Sequence, residues 1–480
     1  MVMPAASMRP ISYKLEGGFS TQDMDRLWEG ALRLIKNVGL RVPHDGIRRC
    51  LAEFDGVEIK NDIVTFRAEL VEKARAAQDY SDWPSNLGPA NPNVIAGAYV
   101  KNVLDPESNE IRPALVKDLI DFTKLCDAYG FYGPPCVKPN DVPLELQRIL
   151  MYKISYEYSR AHAHGILDVA GWLNPNDARY GKEMCDAAGK DFRLDLWIVS
   201  PFVAPSEDLA ILYEFRDEPV DMNVSTMPVT GTTSPINMID SYVQSIAELF
   251  SAMTLVYLLN ERKSKKGKIR CVVADNIRAY PFDMRYGAFV YGSAEDCIGT
   301  FYQAQLNRYF GIPLVAKSLL TTGKRVDAHA AGEKAAHTMA AVLAGAYVFS
   351  NAGLLCVDET YSVQQLLIDW EIVQFCSRVM RGYDFDENLS SLPEIEQIGH
   401  SGNHLGSTRT LENFRRCLWD PEIFIHPTLV QWQQRGSREP AQIAWEIARK
   451  KIQDHTYRAD KEVRRELDKI YARAQKDLLG

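Results

Sequence analysis

DMNVSTMPVTGTTSPINMIDSYVQSIAELF, residues 221–250, is the stretch whose reading decides the fold. Asp221 to Thr230 reads as a strand. Met227-Pro228-Val229-Thr230-Gly231-Thr232-Thr233-Ser234-Pro235 then reads as a short polar loop, and a long helix follows. Ser234 is a natural N-cap, since its hydroxyl can take an orphan backbone N–H, and Pro235 is a natural first helical residue because its φ is already helical. One strand, one loop and one helix make a β/α unit.

The same unit recurs on both sides. Strand-like runs lie near Phe131 to Val137, Ala161 to Val169, Leu194 to Phe202, Ile269 to Asn276, Ile312 to Leu319, Ala346 to Asn351 and Glu394 to His400, each followed by a helical pattern. Eight units match a (β/α)8 TIM barrel, which takes about 250 residues. A doubly wound open sheet is the alternative, but it calls for a glycine-rich nucleotide fingerprint after its first strand, and none is present. The expected architecture is α/β, a TIM barrel over 113–425 with an N-terminal extension of helices and a hairpin over 1–112 and a C-terminal helical segment over 426–480.

Within the extension, Met24, Leu27, Leu32, Leu34 and Ile35 recur at near-helical spacing before Gly39. Asn61 to Phe66 reads as a strand and Ala68 to Ala77 as a helix. Val94 to Leu104 and Ile111 flank the turn-rich Asp105–Asn109 as a hairpin. The helix Ala114 to Tyr129 follows a proline and stops at Gly130. In the last segment Val463, Leu467, Ile470 and Tyr471 form a narrow apolar stripe that needs a surface to pack on, either the barrel or a second subunit, so a homo-oligomer is expected.

The chain has 480 residues, 46% hydrophobic and 25% charged, with net charge −8. That balance is globular and argues against a nucleic-acid partner; the basic run Arg262, Lys263, Lys265, Lys266, Lys268 and Arg270 reads as a solvated turn. MVMPAASMRP lacks a signal pattern, and the longest apolar stretch, Ile246 to Leu259, carries Glu248 and is shorter than a membrane span. Nine scattered cysteines with no CxxC pair suggest reduced cytoplasmic thiols rather than disulfides or zinc. The chain is therefore expected in the cytoplasm, away from membranes.

A barrel keeps its chemistry at the C-terminal ends of its strands. There Thr230, Thr232 and Thr233 read either as loop-capping hydroxyls or as small polar donors to a substrate. After the fifth run comes Asn276-Ile277-Arg278-Ala279-Tyr280-Pro281-Phe282-Asp283-Met284-Arg285-Tyr286. Arginine forks onto carboxylates and ring faces attract cations that cannot donate a hydrogen bond. Arg278, Arg285, Tyr280, Phe282 and Tyr286 thus suit a zwitterion such as a betaine, while a salt bridge with ordinary packing is the plainer alternative. His329 opens the helix after the sixth run, Asn351 ends the seventh, and His400 and His404 follow the eighth. Cys356 has nothing basic beside it in sequence to activate it as a nucleophile. No acid/base triad and no three-ligand metal set stands out.

These loops resemble those of the trimethylamine methyltransferase family of corrinoid-dependent enzymes. The likeness begins at Asn37-Val38-Gly39-Leu40-Arg41-Val42-Pro43 and Val103-Leu104-Asp105-Pro106, and runs on through Gly133-Pro134-Pro135 and Asp141-Val142-Pro143. It is strongest at Pro228–Pro235, Asp283-Met284-Arg285 and Ala352-Gly353-Leu354-Leu355, and it ends at Gly402–Gly406 and Thr410-Leu411. The resemblance implies a TIM barrel that passes a methyl group from a methylated amine to a cobalt(I) corrinoid (cobalamin) carried by a separate small protein, with no cofactor bound tightly by the chain itself. The founding enzymes use pyrrolysine; this chain holds only standard residues, as do relatives that take quaternary amines such as glycine betaine. Where the family carries Gly-Ala-Gly-Leu-Leu-Glu-Ser, this chain has Asn351-Ala352-Gly353-Leu354-Leu355-Cys356-Val357, so an acid is missing, with Asp358 and Glu359 nearby. The family's Gly-His pair is Gly402-Asn403 here, with His404 one place later, and a common Gln is His329.

A quaternary ammonium already holds a neutral amine as leaving group, so no general acid is required and the site's task is to aim the methyl carbon. A barrel hydrolase or lyase using His329, His400 or His404 as base, and a non-catalytic betaine-binding protein, are the competing expectations.

Overall fold

A computed structural model describes residues 16–97, 100–132, 137–160, 174–271, 277–383 and 391–480. Its six barrel strands fall into two parallel arcs. Arg193–Ile198, Asp221–Thr226 and Ile269–Cys271 pair side by side in chain order, with Leu196 opposite Val224 and Val224 opposite Cys271. Val315–Ala316 pairs with Val348–Ala352, which pairs in turn with Asn93–Ala96. The last strand in sequence thus lies against the first, the pairing that closes a ring of parallel strands. Tyr132 N donates to Val94 O at 3.0 Å, so the chain at 131–132 continues the ring on the other side of Asn93–Ala96. The fold is the α/β barrel of TIM type that the alternating units predict.

Two expectations are corrected. Glu394 to His400 is not a strand: Leu392–Ile398 is a helix with a proline in its first turn. Leu392, Ile395 and Ile398 stand three apart, the spacing of one helix face, and among the described residues no strand pairs with them. The missing strand is Asn93–Ala96, alternately half-buried and buried. Only the remainder of the expected hairpin forms, with Asn102–Leu104 antiparallel to Ile111–Pro113 around the Asp105 turn. The runs at 133–136, 161–169 and 272–276, including Gly133-Pro134-Pro135 and Asn276, lie outside the described residues.

Around the strands, helices cover the ring. Thr21–Asn37 begins at a Ser20 capping box and ends before Gly39, whose φ of +73° and a would-be Cβ 2.6 Å from Val64 O admit no side chain. Its Trp28 packs on Phe250 and Phe310 at 5.0 and 5.4 Å between ring centroids. Val116–Tyr129 stops at Gly130 in the left-handed region, as its sequence requires. The helix expected from Ser234 begins three residues later: Asn237 is the N-cap of Met238–Glu261. Ser234 is engaged in the loop instead, its N donating to Val229 O and its hydroxyl meeting that of Ser241 at 2.8 Å. Met238–Glu261 is apolar and long enough to span a membrane, but 89% of its apolar window is buried in the fold, so it is a core helix.

Candidate active site

The strand ends are fastened to the helices behind them by buried polar clusters. Glu248, on Met238–Glu261, accepts from Ser200 Oγ at 2.6 Å, Gln244 Nε2 at 2.8 Å, Phe202 N at 3.2 Å and, in addition, Thr226 Oγ1. Burial pushes its pKa up, against the pull of those donors. Lys334 donates to Asp369 at 2.7 Å and to Leu354 O at 2.8 Å, while Gly353 N donates to the same carboxylate at 2.7 Å. That buried pair fixes the loop after the last strand. There Asn351, Cys356 and Val357 all sit at positive φ (70°, 54° and 70°). Such backbone costs about 1–3 kcal/mol per residue and concentrates at functional loops. Cross-loop bonds hold it: Cys356 N donates to Gly323 O, and Val357 N to Thr321 O, both at 2.8 Å.

The rim loop of the opening stretch is a scaffold. Thr230 donates through both its N and Oγ1 to Tyr280 O, at 2.9 and 3.1 Å, and Thr232 Oγ1 donates to Val229 O at 3.1 Å. Their hydroxyls are committed to backbone.

Of the two arginines, Arg278 is fully buried and ion-paired with Asp296, and it also donates to Gln303 Oε1 at 3.2 Å. Burial opposes its charge most strongly, but Asp296 together with Tyr280 and Tyr242 raises its pKa on balance. The plainer alternative, a salt bridge, holds for Arg278, which is closed to a substrate carboxylate. Arg285 lies at the surface, its guanidinium forked onto Asp283 at 2.9 and 2.6 Å. The three aromatics separate as well. Tyr286 is 82% exposed, Tyr280 is wholly buried, and Phe282 is half-buried. Tyr280 meets Tyr291 edge-on at 6.0 Å, Tyr291 stacks on Phe289 at 5.5 Å, and Phe289 meets Phe282 edge-on at 5.8 Å. Lys317, directly after the Val315–Ala316 strand, places its Nζ 5.3 Å from the Tyr280 ring and 5.7 Å from the Tyr291 ring.

His329 Nε2 is shared between Glu333 Oε1 at 2.9 Å and Thr322 Oγ1 at 3.2 Å. Burial would raise the Glu333 pKa, but hydrogen bonds from Thr321, Thr322 and His329 hold it below the usual glutamate value. His400 and His404 do not stand at a strand end. His404 bonds Glu394 at 2.8 Å, next to the helix that replaces the expected strand, and both histidines are exposed. Asn351 stays at the end of Val348–Ala352, where the ladder shifts register. Among the described residues no three His, Cys, Asp or Glu side chains converge as a metal site.

Sequence reasoning missed Lys317, Tyr291, Glu333 and the Lys334–Asp369 pair. Lys317 had a readable signal, a lone charge within the apolar strand run 312–319. Tyr291 and the Lys334–Asp369 pair acquire partners only through the fold, while Glu333 also meets His329 four residues earlier on the same helix, a spacing readable in the sequence.

The strand ends thus bring the ring cluster Tyr280–Tyr291–Phe289–Phe282 together with the buried Lys317 side chain. A family model described as Trimethylamine methyltransferase (MTTB) matches residues 16–478, and the chain belongs to that family. It is a methyltransferase, as its relatives are named. The chain is 22% identical over 456 residues to the glycine betaine methyltransferase of Desulfitobacterium hafniense strain Y51, covering 89% of this chain and 91% of that one. To the trimethylamine methyltransferase MttB1 of Methanosarcina acetivorans it is 24% identical over 376 residues, 76% and 74% of the two chains. The monomethylamine methyltransferase structure from Methanosarcina barkeri aligns over 90% of this chain and 93% of that one, with a TM-score of 0.46 and 11% identity.

Proposed function

We propose that the chain moves a methyl group from a quaternary, betaine-like amine to the cobalt(I) of a corrinoid carried on a separate small protein that docks over the strand ends. The observation that carries the amine half is the ring cluster Tyr280–Tyr291–Phe289–Phe282, whose inner faces already hold a cation, the Lys317 ammonium. Ring faces are worth about 0.5–2 kcal/mol each to a desolvated cation. The half-buried outer rings, Phe282 and Phe289, suit a trimethylammonium group, and Lys317 gives the inner end of the site a positive field for a carboxylate.

For the methyl acceptor, the rim offers exposed apolar side chains, Ile236, Ile239, Met284 and Tyr286. Ile236 and Met284 flank Gly231, where an added Cβ would lie 3.0 and 4.0 Å from them. An apolar crown of this kind fits a flat macrocycle presented by a partner protein. In the transfer the C–N bond breaks with its electron pair staying on nitrogen, while the cobalt(I) electron pair forms the new bond to carbon. A neutral amine leaves, and no proton moves. The chain's contribution is to hold the ammonium, aim one methyl outward and exclude water. The same reading places the chain in the cytoplasm, with free thiols and an acceptor protein in the same compartment.

The test is direct. Purified protein with cob(I)alamin and a panel of glycine betaine, carnitine, choline and tetramethylammonium should convert the cobalamin absorption spectrum to that of the methylated form with at least one donor. Silence across the panel removes the reading's main support. A rate controlled by a histidine ionisation, abolished in His329→Gln, would favour the His329–Glu333 pair as a base in a hydrolase or lyase instead.

A further inference from the structure

The inner wall of the barrel carries polar groups that the fold itself leaves unused. Outward contacts assign the faces of its strands. Thr226 Oγ1 donates to Glu248 on helix Met238–Glu261, and Ser318 Oγ meets Thr338 Oγ1 on helix Ala328–Leu343 at 3.2 Å, so both residues look outward. Successive side chains alternate between the two faces of a strand. Ile198 shares the face of Thr226, its partner in the ladder, so Trp197 turns inward. Ala316 shares the face of Ser318 and pairs with Phe349, so Lys317 and Ser350 turn inward as well.

Toward the C-terminal ends of the strands, donors on that wall stay unpaired. Ser350 is 2% exposed and its buried Oγ makes no hydrogen bond; neither does the buried Nε1 of Trp197. They stand on different arcs of the ring, Trp197 on Arg193–Ile198 and Ser350 on Val348–Ala352. Buried polar groups are almost always paired, because an unmade hydrogen bond costs the full desolvation of the group. The neighbours of Ser350 explain why it is an exception. The ladder sets Ile95 on one side, and continuing the Val315–Ala316 register by one step sets Lys317 on the other, at the ordinary strand spacing of about 4.8 Å. An alkyl chain and an ammonium offer no lone pair, so neither can accept the hydroxyl proton. Directly after Ser350 the ladder shifts register and Asn351 takes a φ of +70°, a bulge of the kind that re-aims a side chain beside an active site. The acceptor for this hydroxyl comes from outside the chain, and a donor next to an ammonium favours an anionic one.

We propose that Ser350 Oγ, together with Trp197 Nε1 on the other arc, donates to the carboxylate of the methyl donor, so that both are specificity-determining residues and the substrate class is a carboxylated quaternary amine. This rests on the methyl-transfer reading for the choice of ligand, so binding is measured apart from turnover. In calorimetry without any corrinoid, glycine betaine should bind the wild-type chain. Ser350→Ala and Trp197→Phe should each weaken it about 10-fold or more, the loss expected for a hydrogen bond to a charged group. Tetramethylammonium, which has no carboxylate, should lose far less in either variant, and Ser350→Thr, which keeps the hydroxyl, should recover most of the glycine betaine affinity. In the free protein Ser350→Ala removes a group that has no partner, so its melting temperature should equal or exceed that of wild type. A lower melting temperature would show that the hydroxyl serves the fold through a bound water, and would overturn the proposal. Equal losses for the two ligands, or a wild type that binds neither glycine betaine nor carnitine, would overturn it as well. Cobalamin methylation from tetramethylammonium with no preference for carboxylated donors would keep the methyl-transfer reading and remove this one. Betaine binding that Ser350→Ala weakens, in a chain without turnover, would do the reverse.

Discussion

Arg278 and Lys317 show how little a residue's type reveals before its partner is known. In sequence Arg278 sits on a loop of arginines and rings and looks available to a carboxylate. In the fold it is sealed against Asp296, eighteen positions later, with Gln303 beside it. Removing one member of a buried pair costs about 3–5 kcal/mol, since the other charge is left stranded. Arg278→Met should therefore lower the melting temperature and reduce turnover equally for every donor. Arg285→Met, at an exposed pair, should leave the melting temperature close to wild type. Lys317→Met separates binding from folding. If its field holds a carboxylate, KM for glycine betaine should rise about 30-fold or more, corresponding to about 2 kcal/mol, while tetramethylammonium is little affected. Parallel losses for the two donors in a titration of initial rates would assign Lys317 to packing alone.

Elements were legible where the signal is local. Gly130 and Gly39 end their helices as read, and the strand Asp221–Thr226 begins at the residue expected. The errors came where a local cue met a longer-range competitor. Ser234 and Pro235 look like a helix start, but Ser234 closes the loop back onto Val229, and Asn237 takes the cap. Glu248 is the counterpart within a helix: a charge in an apolar stretch that reads as an interruption, yet ties two strand ends to the helix through Ser200 and Thr226. Its pKa is raised by burial. A group of that kind favours the folded state fully below the ordinary glutamate pKa, and the advantage is lost as pH climbs through the raised value. Glu248→Gln can accept from Phe202 N and Gln244 and donate to the two hydroxyls, so it should keep the fold and flatten the loss of melting temperature on going from mildly acidic to neutral pH. Glu248→Leu, which strands those donors, should cost about 1–3 kcal/mol at any pH. An unchanged pH slope in the Gln variant would show that the carboxylate is not the source.

For the molecule as a whole, alternation of strands and helices was enough to give the barrel, because each β/α unit repeats the same pattern whatever its side chains do. Glu394–His400 was assigned as the closing strand, whereas among the described residues Val348–Ala352 pairs with Asn93–Ala96, in the segment assigned to the extension. Hydrophobic periodicity marks what is buried but not which strand lies beside which, and no pattern within four residues could announce a partner 255 positions away, as Val348 is from Asn93. The site divided along the same line. Its loops could be located from the order of the strands, whereas the commitments of its charges could not.

The pairing of Asn93–Ala96 with Val348–Ala352 also sets a timetable. While the chain is being made, the first strand emerges long before its neighbour exists, and until roughly three quarters of the polypeptide has been synthesised one of its edges has no ladder to join. An open edge is a template for wrong pairing, and contacts of such sequence separation form slowly. The ring therefore cannot finish until the last strand leaves the ribosome, and a chain cut off before it would hold most of its helices yet stay open along one seam, the form in which a nascent barrel is most exposed to aggregation and most in need of a chaperone.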